Sequence, residues 1–548
     1  MSKNIFNEFN IWLRHEELDN TLKEELRQMK GDEKAVYEAF YRNLDFGTSG
    51  LRGIMGVGTN RMNIPVVCRV SQGIANHMIS EKTEKKVVIC YDSRHRSKDF
   101  AKSAASVFAA NGIRTYIYEN IMPVSACSYA VRYYGASFGV MVTASHNPKE
   151  YNGYKVYDSD GCQILDDVAK QIFEATEKLD FFNDIKTMDF NEALGQYIEY
   201  IPAFVEFKFV EDALKCGLPN EATGNLKVVY TPLHGSGNIP VQRVLSMVGV
   251  GELNVVKNQE NPDGNFPTCI LPNPEDPRVF EQAKVLCDKK NCDIILATDP
   301  DCDRIGVLQR TKHGYIRPRG NEIGLLLFDY ICKNKQMPMN PVVVTTIVSS
   351  ELIDRVAADY GVAVERTLIG FKYIGKRLGS LGNRYVFGFE EGFGYLAGDF
   401  VRDKDGVSSA MLIVQMTAYH KNRGCNLHEA LEEIYNKYGY HEDRVLGFEF
   451  QGSSGIQKIT DIMSELRNKD ELWKKRIIIK KDYITSTNLP KANILEYTFS
   501  DETRILIRPS GTEPKLKVYL FAHDKDKIRA IDKLNENEKM IREIIKYE

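Results

Sequence analysis

Residues 140–164 read VMVTASHNPKEYNGYKVYDSDGCQI. The segment begins as a strand, since Phe138, Val140 and Val142 occupy alternate positions between residues 137 and 143. A polar loop follows at 144–148, and Pro148 biases the residue before it toward an extended conformation, so the loop does not continue as a helix. The strand therefore presents Ser145 at its carboxyl end, where open α/β sheets place their chemistry.

The hydroxyl of Ser145 has three interpretations. It can bond to its own backbone in a turn. It can be an acyl-transfer nucleophile, although the flanking Thr143 and Asn147 do not complete a G-x-S-x-G elbow. It can also carry a phosphate, whose charge of about −2 requires cations nearby. This third interpretation predicts a metal site and a basic cluster elsewhere in the chain.

Two motifs in this stretch carry a family resemblance. TASHNP at 143–148 and NGYK at 152–155 closely resemble the phosphoserine loop of the α-D-phosphohexomutases, the phosphoglucomutase and phosphomannomutase family. The resemblance extends from FGTSGLRG at 46–53 to RPSGTEPK at 508–515, so it covers almost the whole chain. It implies that Ser145 carries the phosphate and that His146 and Lys155 belong to the catalytic set.

The composition is that of an ordinary globular protein. Of 548 residues, 43% are hydrophobic and 27% are charged, and the net charge is −3, which argues against general nucleic-acid binding. The 11 cysteines lack a C-x-x-C pair, and we interpret them as reduced thiols of a cytoplasmic protein. The polar N-terminus is not typical of a signal peptide, and no apolar run has the length of a membrane span.

A glycine-rich segment near the N-terminus is the first candidate ligand loop. Residues 46–63 contain five glycines within twelve positions, which allows close approach to a ligand. No G-K-[ST] sequence closes it, so it is not a Walker A loop. The resemblance places an active-site arginine here, and Arg52 is the candidate for orienting the phosphoserine and stabilising charge during transfer. The preceding residues 5–30 are predicted to form an amphipathic helix or a pair of helices.

Strand and helix patterns alternate through most of the chain. Predicted strands at 86–91, 114–118 and 137–143 alternate with helices at 97–111 and 124–134, and the layout recurs at 226–297 and at 341–389. Such alternation is typical of mainly parallel sheets. Three successive α/β units are each predicted to deliver a polar loop from a strand end: Ser145, then Asp299, then Glu390.

The last segment has a different pattern, with strands near 504–507 and 516–521 and a helix near 525–545. The predicted fold is therefore α/β, with three successive mixed α/β domains and a smaller C-terminal α+β domain around a central cleft. We predict domains at 1–200, 201–315, 316–437 and 438–548, carrying in turn the phosphoserine, metal, sugar and phosphate loops.

Three aspartates form the candidate metal site. Asp299, Asp301 and Asp303 alternate along a loop, and such close carboxylates repel one another unless a cation lies among them. Oxygen ligands favour Mg²⁺. An EF-hand is excluded, because Arg304 stands where that loop needs glycine. A solvated acidic turn is the alternative. The resemblance adds the phosphoryl oxygen on Ser145 as a further ligand, and Arg304 as a contact of that phosphate.

Two segments resemble the sugar-recognition loops of the family, TLIGFK at 367–372 and GFEEGFG at 388–394. The candidate substrate contacts are Gly370, Phe371, Lys372, Glu390 and Gly392. Carboxylates suit sugar hydroxyls because they accept several hydrogen bonds. The family pattern is G-E-x-S-G, and this chain has Gly392 in place of the serine, which leaves the choice of sugar open.

The candidate seat for the non-reacting phosphate comprises Arg508, Ser510, Gly511 and Thr512. An arginine, hydroxyls and the exposed amides of a glycine turn are suitable anion donors, although a simple turn has the same pattern. Lys404 matches a family lysine that reaches the active site. It and His146 are the two candidates for a general base, and the sequence does not rank them.

The resemblance implies a mutase that moves phosphate between the 1- and 6-positions of a hexose, most simply glucose. Mg²⁺ is the implied metal and glucose 1,6-bisphosphate the implied activator, with sugar phosphates as the only partners and no nucleic acid or membrane. Whether the chain is a monomer or a dimer stays open. The sequence FGTSGLRG…NRMN is similar to that of the phosphoglucomutase-2-type subgroup. Phosphomannomutase, phosphopentomutase, glucose-1,6-bisphosphate synthase and a non-enzymatic sugar-phosphate sensor therefore remain alternatives.

Overall fold

The structure is a computed structural model that describes residues 3–47, 50–218, 222–450, 452–469, 471–472, 475–485, 487–510 and 515–545. The α-helices span Lys3–Arg14 (α1), Asn20–Met29 (α2), Glu33–Phe40 (α3), Ile64–Ser80 (α4), Ser97–Ala110 (α5), Val124–Tyr134 (α6), Asp166–Glu177 (α7), Phe190–Ala193 (α8), Ala203–Leu214 (α9), Asn238–Met247 (α10), Lys257–Glu260 (α11), Glu281–Lys290 (α12), Gly320–Asn334 (α13), Leu352–Asp359 (α14), Phe371–Leu381 (α15), Gly406–Asn422 (α16), Leu427–Tyr438 (α17), Gly452–Arg467 (α18) and Lys527–Ile545 (α19). Short 3-10 helices lie at Pro277–Phe280 and Gly382–Arg384.

The strands span Phe46–Gly47 (β1), Gly50–Ile54 (β2), Lys86–Tyr91 (β3), Arg114–Ile117 (β4), Phe138–Val142 (β5), Tyr151–Asp158 (β6), Ile198–Tyr200 (β7), Lys227–Thr231 (β8), Glu252–Val255 (β9), Ile294–Thr298 (β10), Ile305–Thr311 (β11), Gly314–Ile316 (β12), Val342–Thr346 (β13), Ala363–Thr367 (β14), Tyr385–Glu390 (β15), Gly394–Leu396 (β16), Tyr440–Glu449 (β17), Glu471–Leu472 (β18), Lys475–Asp482 (β19), Leu495–Phe499 (β20), Arg504–Pro509 (β21) and Lys515–Asp524 (β22).

The chain divides into two compact units. The first comprises residues 1–317, 375–382 and 393–419, and the second comprises residues 318–374, 383–392 and 420–548. Within the described residues, no helix is both long and apolar enough to cross a lipid bilayer.

The first unit contains two sheets. In the larger sheet the strand order is β1-β2-β6-β5-β3-β4-β7. Strands β5, β3, β4 and β7 are parallel, whereas β6 and β2 join them antiparallel. In the second sheet, β10, β8 and β9 are parallel, and β11 and β12 extend it antiparallel. The parallel strands β3, β5, β8 and β10 read as nearly continuous apolar runs because helices cover both faces of such sheets.

Three N-terminal helices pack on the larger sheet. Trp12 is fully buried and lies edge-on to Phe40, Phe181 and Phe182. The predicted amphipathic segment is therefore α1 and α2, whose apolar sides join this core. The carboxylate of Asp19 accepts a hydrogen bond from the backbone N–H of Leu22 and so caps α2.

The second unit combines a parallel and an antiparallel sheet. Strands β14, β13 and β15 are parallel, and the antiparallel order in the other sheet is β17-β22-β21-β20-β19-β18. Helix α19 packs against β17 and β22. This half of the chain therefore has the predicted change from an α/β to an α+β pattern near its C-terminal end.

Two expectations from the sequence were wrong. The segment 46–63 was interpreted as a glycine loop, but Gly50–Ile54 is a strand that pairs antiparallel with β6. Not all cysteines are reduced thiols either, because Cys287 and Cys292 form a disulfide. Asn291, at φ +54, ends α12 in the left-handed region and reverses the chain, so that the Cα atoms of the two cysteines lie 4.8 Å apart. The other nine cysteines form no disulfide.

Candidate active site

Ser145 lies in the loop that follows β5, as the sequence predicts. Its side chain is almost completely buried, and its φ of +53° is in the left-handed region, which is unusual for a residue with a side chain. The backbone N–H of Ser145 donates to Thr143 Oγ1 (2.8 Å). Its hydroxyl donates to Asp299 Oδ2 (3.0 Å) and lies 3.2 Å from His146 Nδ1. The loop therefore directs Ser145 Oγ at the first aspartate of the candidate metal site.

The sequence interpretation missed the group that holds this loop. The guanidinium of Arg94 has no exposed surface, and it donates to the carbonyl oxygens of Ser145 (2.5 Å), Asn147 (2.5 Å), Pro148 (2.8 Å) and Tyr151 (3.1 Å). One buried side chain thus binds four backbone acceptors of the serine loop. The signal was present in the sequence, since Y-D-S-R follows β3, the parallel neighbour of β5.

Asp92 in turn holds Arg94 and the base of the serine loop. It is buried and accepts hydrogen bonds from Ser97 Oγ (2.8 Å) and Thr143 Oγ1 (2.7 Å), and its carboxylate lies 3.5 Å from Arg94 Nε. Burial raises the pKa of Asp92, and the positive charge of Arg94 opposes this shift. The ends of β3 and β5 are therefore tied together by a buried ion pair.

The three aspartates converge as predicted. Ligand oxygens of Asp299, Asp301 and Asp303 all lie within 4.8 Å of one another, and all three side chains are buried. Asp299 Oδ1 accepts the backbone N–H groups of Asp303 (3.1 Å) and Arg304 (3.0 Å), which fixes the turn after β10. Cys302, at the apex, has a φ of +54°. Like Ser145, it is a non-glycine residue held in a sparsely populated conformation, a feature that clusters at functional sites.

Two lysines compensate the aspartate charges. Lys155 Nζ lies 2.8 Å from Asp301 Oδ2 and 3.4 Å from Asp303 Oδ2, and Lys404 Nζ lies 2.9 Å from Asp303 Oδ2. Burial acts to raise the pKa of Asp303, but Lys404 and Lys155 outweigh it and hold that pKa well below its usual range. Asp299 has no ion pair with a lysine within the described residues, and burial together with the charges of Asp301 and Asp303 raises its pKa.

Three further side chains lie near Ser145 and the aspartates: Arg52, Arg304 and His146. Arg52 Nη1 donates to Asn147 Oδ1 (3.0 Å) in the serine loop. Arg304 pairs with Glu275 (2.7 Å) and with Asp303 (3.9 Å). Although burial opposes the shift, the Glu275 and Asp303 carboxylates raise the pKa of Arg304. Burial, followed by the charges of Arg304 and Arg52, lowers the pKa of His146 well below its ordinary value. The imidazole is therefore neutral and able to accept a proton.

The residues present fit a hard divalent cation. Asp301 Oδ1 and Asp303 Oδ1 are buried and have no hydrogen-bond partner, although buried carboxylate oxygens are normally bonded. Each lone oxygen belongs to a carboxylate whose other oxygen faces a lysine. The three aspartates therefore offer oxygen ligands of the kind that Mg²⁺ prefers.

Two buried side-chain groups that sequence reasoning did not single out support Lys404. Asp403 accepts hydrogen bonds from Tyr157 Oη (2.8 Å) and Gln163 Nε2 (3.2 Å). Asp405 accepts one from Ser125 Oγ (2.6 Å). These contacts fix both neighbours of Lys404, so the D-K-D-G segment carries one residue directed at the triad and two that anchor it.

The predicted sugar and phosphate contacts lie in the second unit. Gly370 N–H donates to Glu390 Oε1 (2.9 Å), which joins the two predicted sugar-recognition segments. Lys372 is buried. Phe371 begins α15, and Gly392 follows β15 in the loop that carries Glu390. Arg508 and Ser510 lie at the end of β21, where Ser510 N–H donates to Lys515 O (2.7 Å). Gly511 and Thr512 lie outside the described residues.

Glu391 is a further ionisable group in the second unit. Burial and the charge of Glu390 raise the pKa of Glu391 to about 8, against the opposing charges of Arg508 and Lys517. Its carboxylate lies 3.4 Å from Thr346 Oγ1. At neutral pH the group is therefore mainly protonated and able to donate a hydrogen bond.

Four family models match the chain. They describe the alpha/beta/alpha domains I, II and III of phosphoglucomutase/phosphomannomutase, at residues 43–183, 197–314 and 319–438, and the C-terminal domain, at residues 462–537. Together these matches cover most of the chain in the order of a four-domain architecture of three α/β domains and a C-terminal domain.

Curated relatives and solved structures agree with this match. The phosphoglucomutase of Staphylococcus haemolyticus is 36% identical over 508 residues, covering 88% of this chain and 91% of that protein. The phosphoglucomutase of Staphylococcus aureus (strain USA300) is 35% identical over 502 residues, covering 88% and 90%. In fold, the chain is similar to pp63/parafusin, a phosphoglucomutase from Paramecium, with a TM-score of 0.70, 19% identity and coverage of 92% and 95%. It is also similar to a phosphoglucomutase/phosphomannomutase family protein from Burkholderia thailandensis, with a TM-score of 0.67, 17% identity and coverage of 91% and 97%.

Proposed function

The chain belongs to the phosphoglucomutase/phosphomannomutase family, and we propose that it interconverts hexose 1-phosphate and hexose 6-phosphate, with the glucose phosphates as preferred substrates. As a family member it is a phosphosugar mutase. The preference for glucose is supported by relatives at 35–36% identity that are phosphoglucomutases. The observation that carries the mechanism is the hydrogen bond between Ser145 Oγ and Asp299 Oδ2, at 3.0 Å inside the buried aspartate cluster.

In the proposed cycle, Ser145 Oγ is esterified by phosphate in the resting enzyme. The phosphoryl group passes from Ser145 Oγ to the free hydroxyl of a sugar monophosphate; the sugar hydroxyl gives its proton to a base, and the released Ser145 Oγ takes up a proton to become a hydroxyl again. The resulting bisphosphate turns over, and its other phosphoryl group returns to Ser145. The same sugar bisphosphate, glucose 1,6-bisphosphate for a glucose enzyme, would act as activator by phosphorylating Ser145.

The residues around Ser145 have distinct proposed roles. Arg52 and Arg304 stabilise charge on the transferred phosphoryl group. We assign the base to His146, because its ring lies 3.2 Å from Ser145 Oγ, whereas the ammonium of Lys404 is paired with Asp303. Lys155 and Lys404 hold the aspartates in place. Asp299, Asp301 and Asp303 would hold Mg²⁺, which supplies electrostatic stabilisation of phosphoryl oxygens when bound.

The second unit supplies the proposed sugar and phosphate contacts. Glu390 accepts sugar hydroxyls, and the turn that includes Gly370, Phe371 and Lys372 lies beside it. Arg508 and Ser510, with Gly511 and Thr512, bind the phosphate that does not react. Gly392 removes the hydroxyl that the family serine offers, and the protonated carboxyl of Glu391 is a donor in the adjacent position. The predicted domain limits, 1–200, 201–315, 316–437 and 438–548, and the cytoplasm as compartment, remain predictions.

Intact-mass measurement tests the phosphoserine directly. We expect wild type to carry the mass of one phosphate and Ser145→Ala to lack it. Ser137→Ala is the matched control and should keep the phosphate: it removes a hydroxyl just before β5 whose one hydrogen bond within the described residues is to Glu84 O. Phosphate retained in Ser145→Ala would refute the assignment of the nucleophile.

A substrate panel tests the sugar. Glucose, mannose and ribose 1-phosphates, each with and without the corresponding bisphosphate, separate a phosphoglucomutase from a phosphomannomutase or a phosphopentomutase. Transfer to glucose 1-phosphate from an outside phosphate donor, without isomerisation, would identify a bisphosphate synthase. No turnover with any of these sugars would refute the mutase and leave a sugar-phosphate sensor.

A further inference from the structure

A cavity in the first unit is lined by the turn whose Arg94 holds the serine loop. Its volume is about 730 Å³, and we call it the Arg94 cavity. The turn at Asp92–Arg94, the first turn of α5, the segment 119–122, one side of α9 and the first turn of α10 form its wall. Ser145, Arg52, the three aspartates and both active-site lysines are not among the residues that line it. The cavity is therefore distinct from the candidate active site.

The first turns of two helices line this cavity. Helix α5 has 14 residues and α10 has 10, and neither has a side-chain cap. Within the described part of the chain, the backbone N–H groups of Lys98, Asp99, Asn238 and Ile239 have no acceptor. Unsatisfied N–H groups and the positive end of the helix dipole favour an anion at such positions.

Cationic side chains and a shielded hydroxyl belong to the same cavity wall. Lys98 and Arg243 form no salt bridge with any residue that the structure describes. The hydroxyl of Ser93 is shielded from solvent and has no hydrogen-bond partner, which is uncommon for a buried polar group. All three residues line the Arg94 cavity. The cavity wall therefore carries two cationic side chains without salt bridges to described residues and one hydroxyl without a hydrogen-bond partner, while Asp99, beside Lys98, has its carboxylate 3.6 Å from Arg96 Nε.

The rest of the wall has a different character. Glu119 and Glu206 line it and make no salt bridge with described residues. Burial raises the pKa of Glu206, and the charge of Glu119 adds to the shift against the opposing charge of Arg243. Ile121 and Val210 add apolar surface to the wall. Carboxylates accept hydrogen bonds from hydroxyl groups, so Glu119 and Glu206 suit a hydroxylated carrier.

The wall of the cavity is bonded to both catalytic loops. Arg94 donates to the carbonyl oxygens of Ser145 and Asn147. Ser236, which also lines the cavity, donates to Pro300 O through its hydroxyl (2.8 Å) and its backbone N–H (2.8 Å). Pro300 lies between the first two aspartates of the metal loop. A ligand that shifts this wall therefore displaces the residues that hold the nucleophile and the triad.

We propose that the Arg94 cavity is a second binding site, for a phosphate monoester of a small hydroxylated carrier, and that its occupation changes turnover at Ser145. The phosphate binds at Lys98, Arg243 and the N-termini of α5 and α10. The hydroxyl groups of the carrier face Glu119 and Glu206. The binding part stands independently of the proposed function, whereas the effect on turnover rests on it.

Equilibrium dialysis of the full-length protein tests the site, with labelled inorganic phosphate, glycerol 3-phosphate and AMP as probes. Lys98→Glu reverses a charge in the wall, and we expect about tenfold weaker binding of all three probes. The change does not threaten folding, because an acidic residue in a first helical turn is favourable. Lys289→Glu, at an exposed position of α12 without a salt bridge, is the matched control and should bind as wild type does.

Two further variants distinguish this site from the substrate site and test which residues contact the carrier. Arg508→Ala removes a proposed substrate contact in the second unit and should leave the Lys98-dependent binding intact. Glu206→Met should keep the affinity for inorganic phosphate while reducing the preference for glycerol 3-phosphate and AMP severalfold. If glycerol 3-phosphate binds more tightly than AMP, the ligand is a polyol phosphate; if AMP binds more tightly, it is a nucleotide.

The proposal fails if Lys98→Glu binds every probe as Lys289→Glu does, or if Arg508→Ala alone abolishes binding. For turnover, the bound probe should change kcat at saturating sugar phosphate in wild type and in Lys289→Glu, but not in Lys98→Glu. An unchanged kcat in wild type with the probe bound would overturn the coupling. Absence of mutase activity in wild type would instead count against the proposed function, and the dialysis result would still decide the site.

Discussion

Replacing Arg94 with methionine removes a buried cation that binds four carbonyl oxygens of the serine loop. The substitution also leaves the buried carboxylate of Asp92 without its cation. Removing one partner of a buried pair costs about 3–5 kcal/mol. We therefore expect the free energy of unfolding to fall by about that amount, as measured by chemical denaturation.

The expected loss of catalytic rate in Arg94→Met is a more specific test of the role of Arg94 than the loss of stability. Without Arg94 the loop at 145–151 loses its internal anchor, and a displacement of about 1 Å at a nucleophile lowers the rate about 100-fold. We expect kcat of the folded fraction of Arg94→Met to fall by about 100-fold, measured at low temperature with saturating glucose 1-phosphate. Arg94→Lys keeps the charge but cannot bind four acceptors, and should lie between wild type and methionine.

Arg69 provides a matched control for the loss of stability. It is also a buried arginine, and it binds the Glu177 side chain (3.2 Å) and the carbonyl oxygens of Glu177 (3.2 Å) and Leu179 (2.9 Å), away from the serine loop. Arg69→Met should be destabilised to a similar extent but keep its kcat. If the two methionine variants have the same kcat per folded molecule, Arg94 does not position Ser145, and the reasoning is refuted.

Three further perturbations have defined outcomes. Burial, then the charges of His523 and Arg355, lower the pKa of His441 to about 3. Between pH 3 and about 6.5 the unfolded chain therefore binds more protons than the folded chain. The free energy of unfolding decreases as the pH is lowered through that window, by about 2 kcal/mol from pH 7 to pH 5. His441→Phe should lose less stability over this range in denaturation curves at both pH values, and an unchanged pH dependence would contradict the assignment. In Gly153→Ala, the new Cβ would lie 2.4 Å from Thr143 O, so the serine loop must shift, and thermal melting should show a loss of about 1–3 kcal/mol. Asp301→Asn should weaken Mg²⁺ binding at least about tenfold in calorimetric titration, and wild-type affinity in this variant would exclude Asp301 as a ligand.

The positions of the strand ends could be predicted from the sequence, because the hydrophobic pattern and the order of strands and helices along the chain determine them. Apolar runs at 137–143 and 293–297 are strands in parallel sheets, and such strands place their following loops at one sheet edge. The sequence could not show which loops touch, since the hydrogen bond from Ser145 to Asp299 joins residues 154 positions apart. The family resemblance supplied that convergence.

What the sequence did not reveal depends on tertiary pairing. Five glycines within 46–63 disfavour a strand, yet Gly50–Ile54 is one because β6 supplies its hydrogen-bond partners. The Y-D-S-R segment at the end of β3 indicates the position of Arg94 but not its role, because its acceptors are backbone carbonyl oxygens 51–57 residues away and a sequence pattern does not show backbone contacts. The disulfide depends on the left-handed turn at Asn291, and no cysteine motif in the sequence indicates that turn.

The charges around Ser145 lead to one more expectation. Lys155 and Lys404 pair with Asp301 and Asp303, and Arg304, which lies 3.9 Å from Asp303, pairs with Glu275 at 2.7 Å, so these three cations already have acidic partners. A phosphate on Ser145 adds a charge of about −2 to this buried site, and a divalent cation offsets that charge. Phosphorylation and Mg²⁺ binding should therefore favour each other, and thermodynamic linkage requires the coupling to be reciprocal. Mg²⁺ affinity measured by calorimetry should be at least about fivefold higher for the phosphorylated protein than for Ser145→Ala. Equal affinities would mean that the phosphate does not share the aspartate site, and the proposed role of Ser145 beside the metal would have to be abandoned.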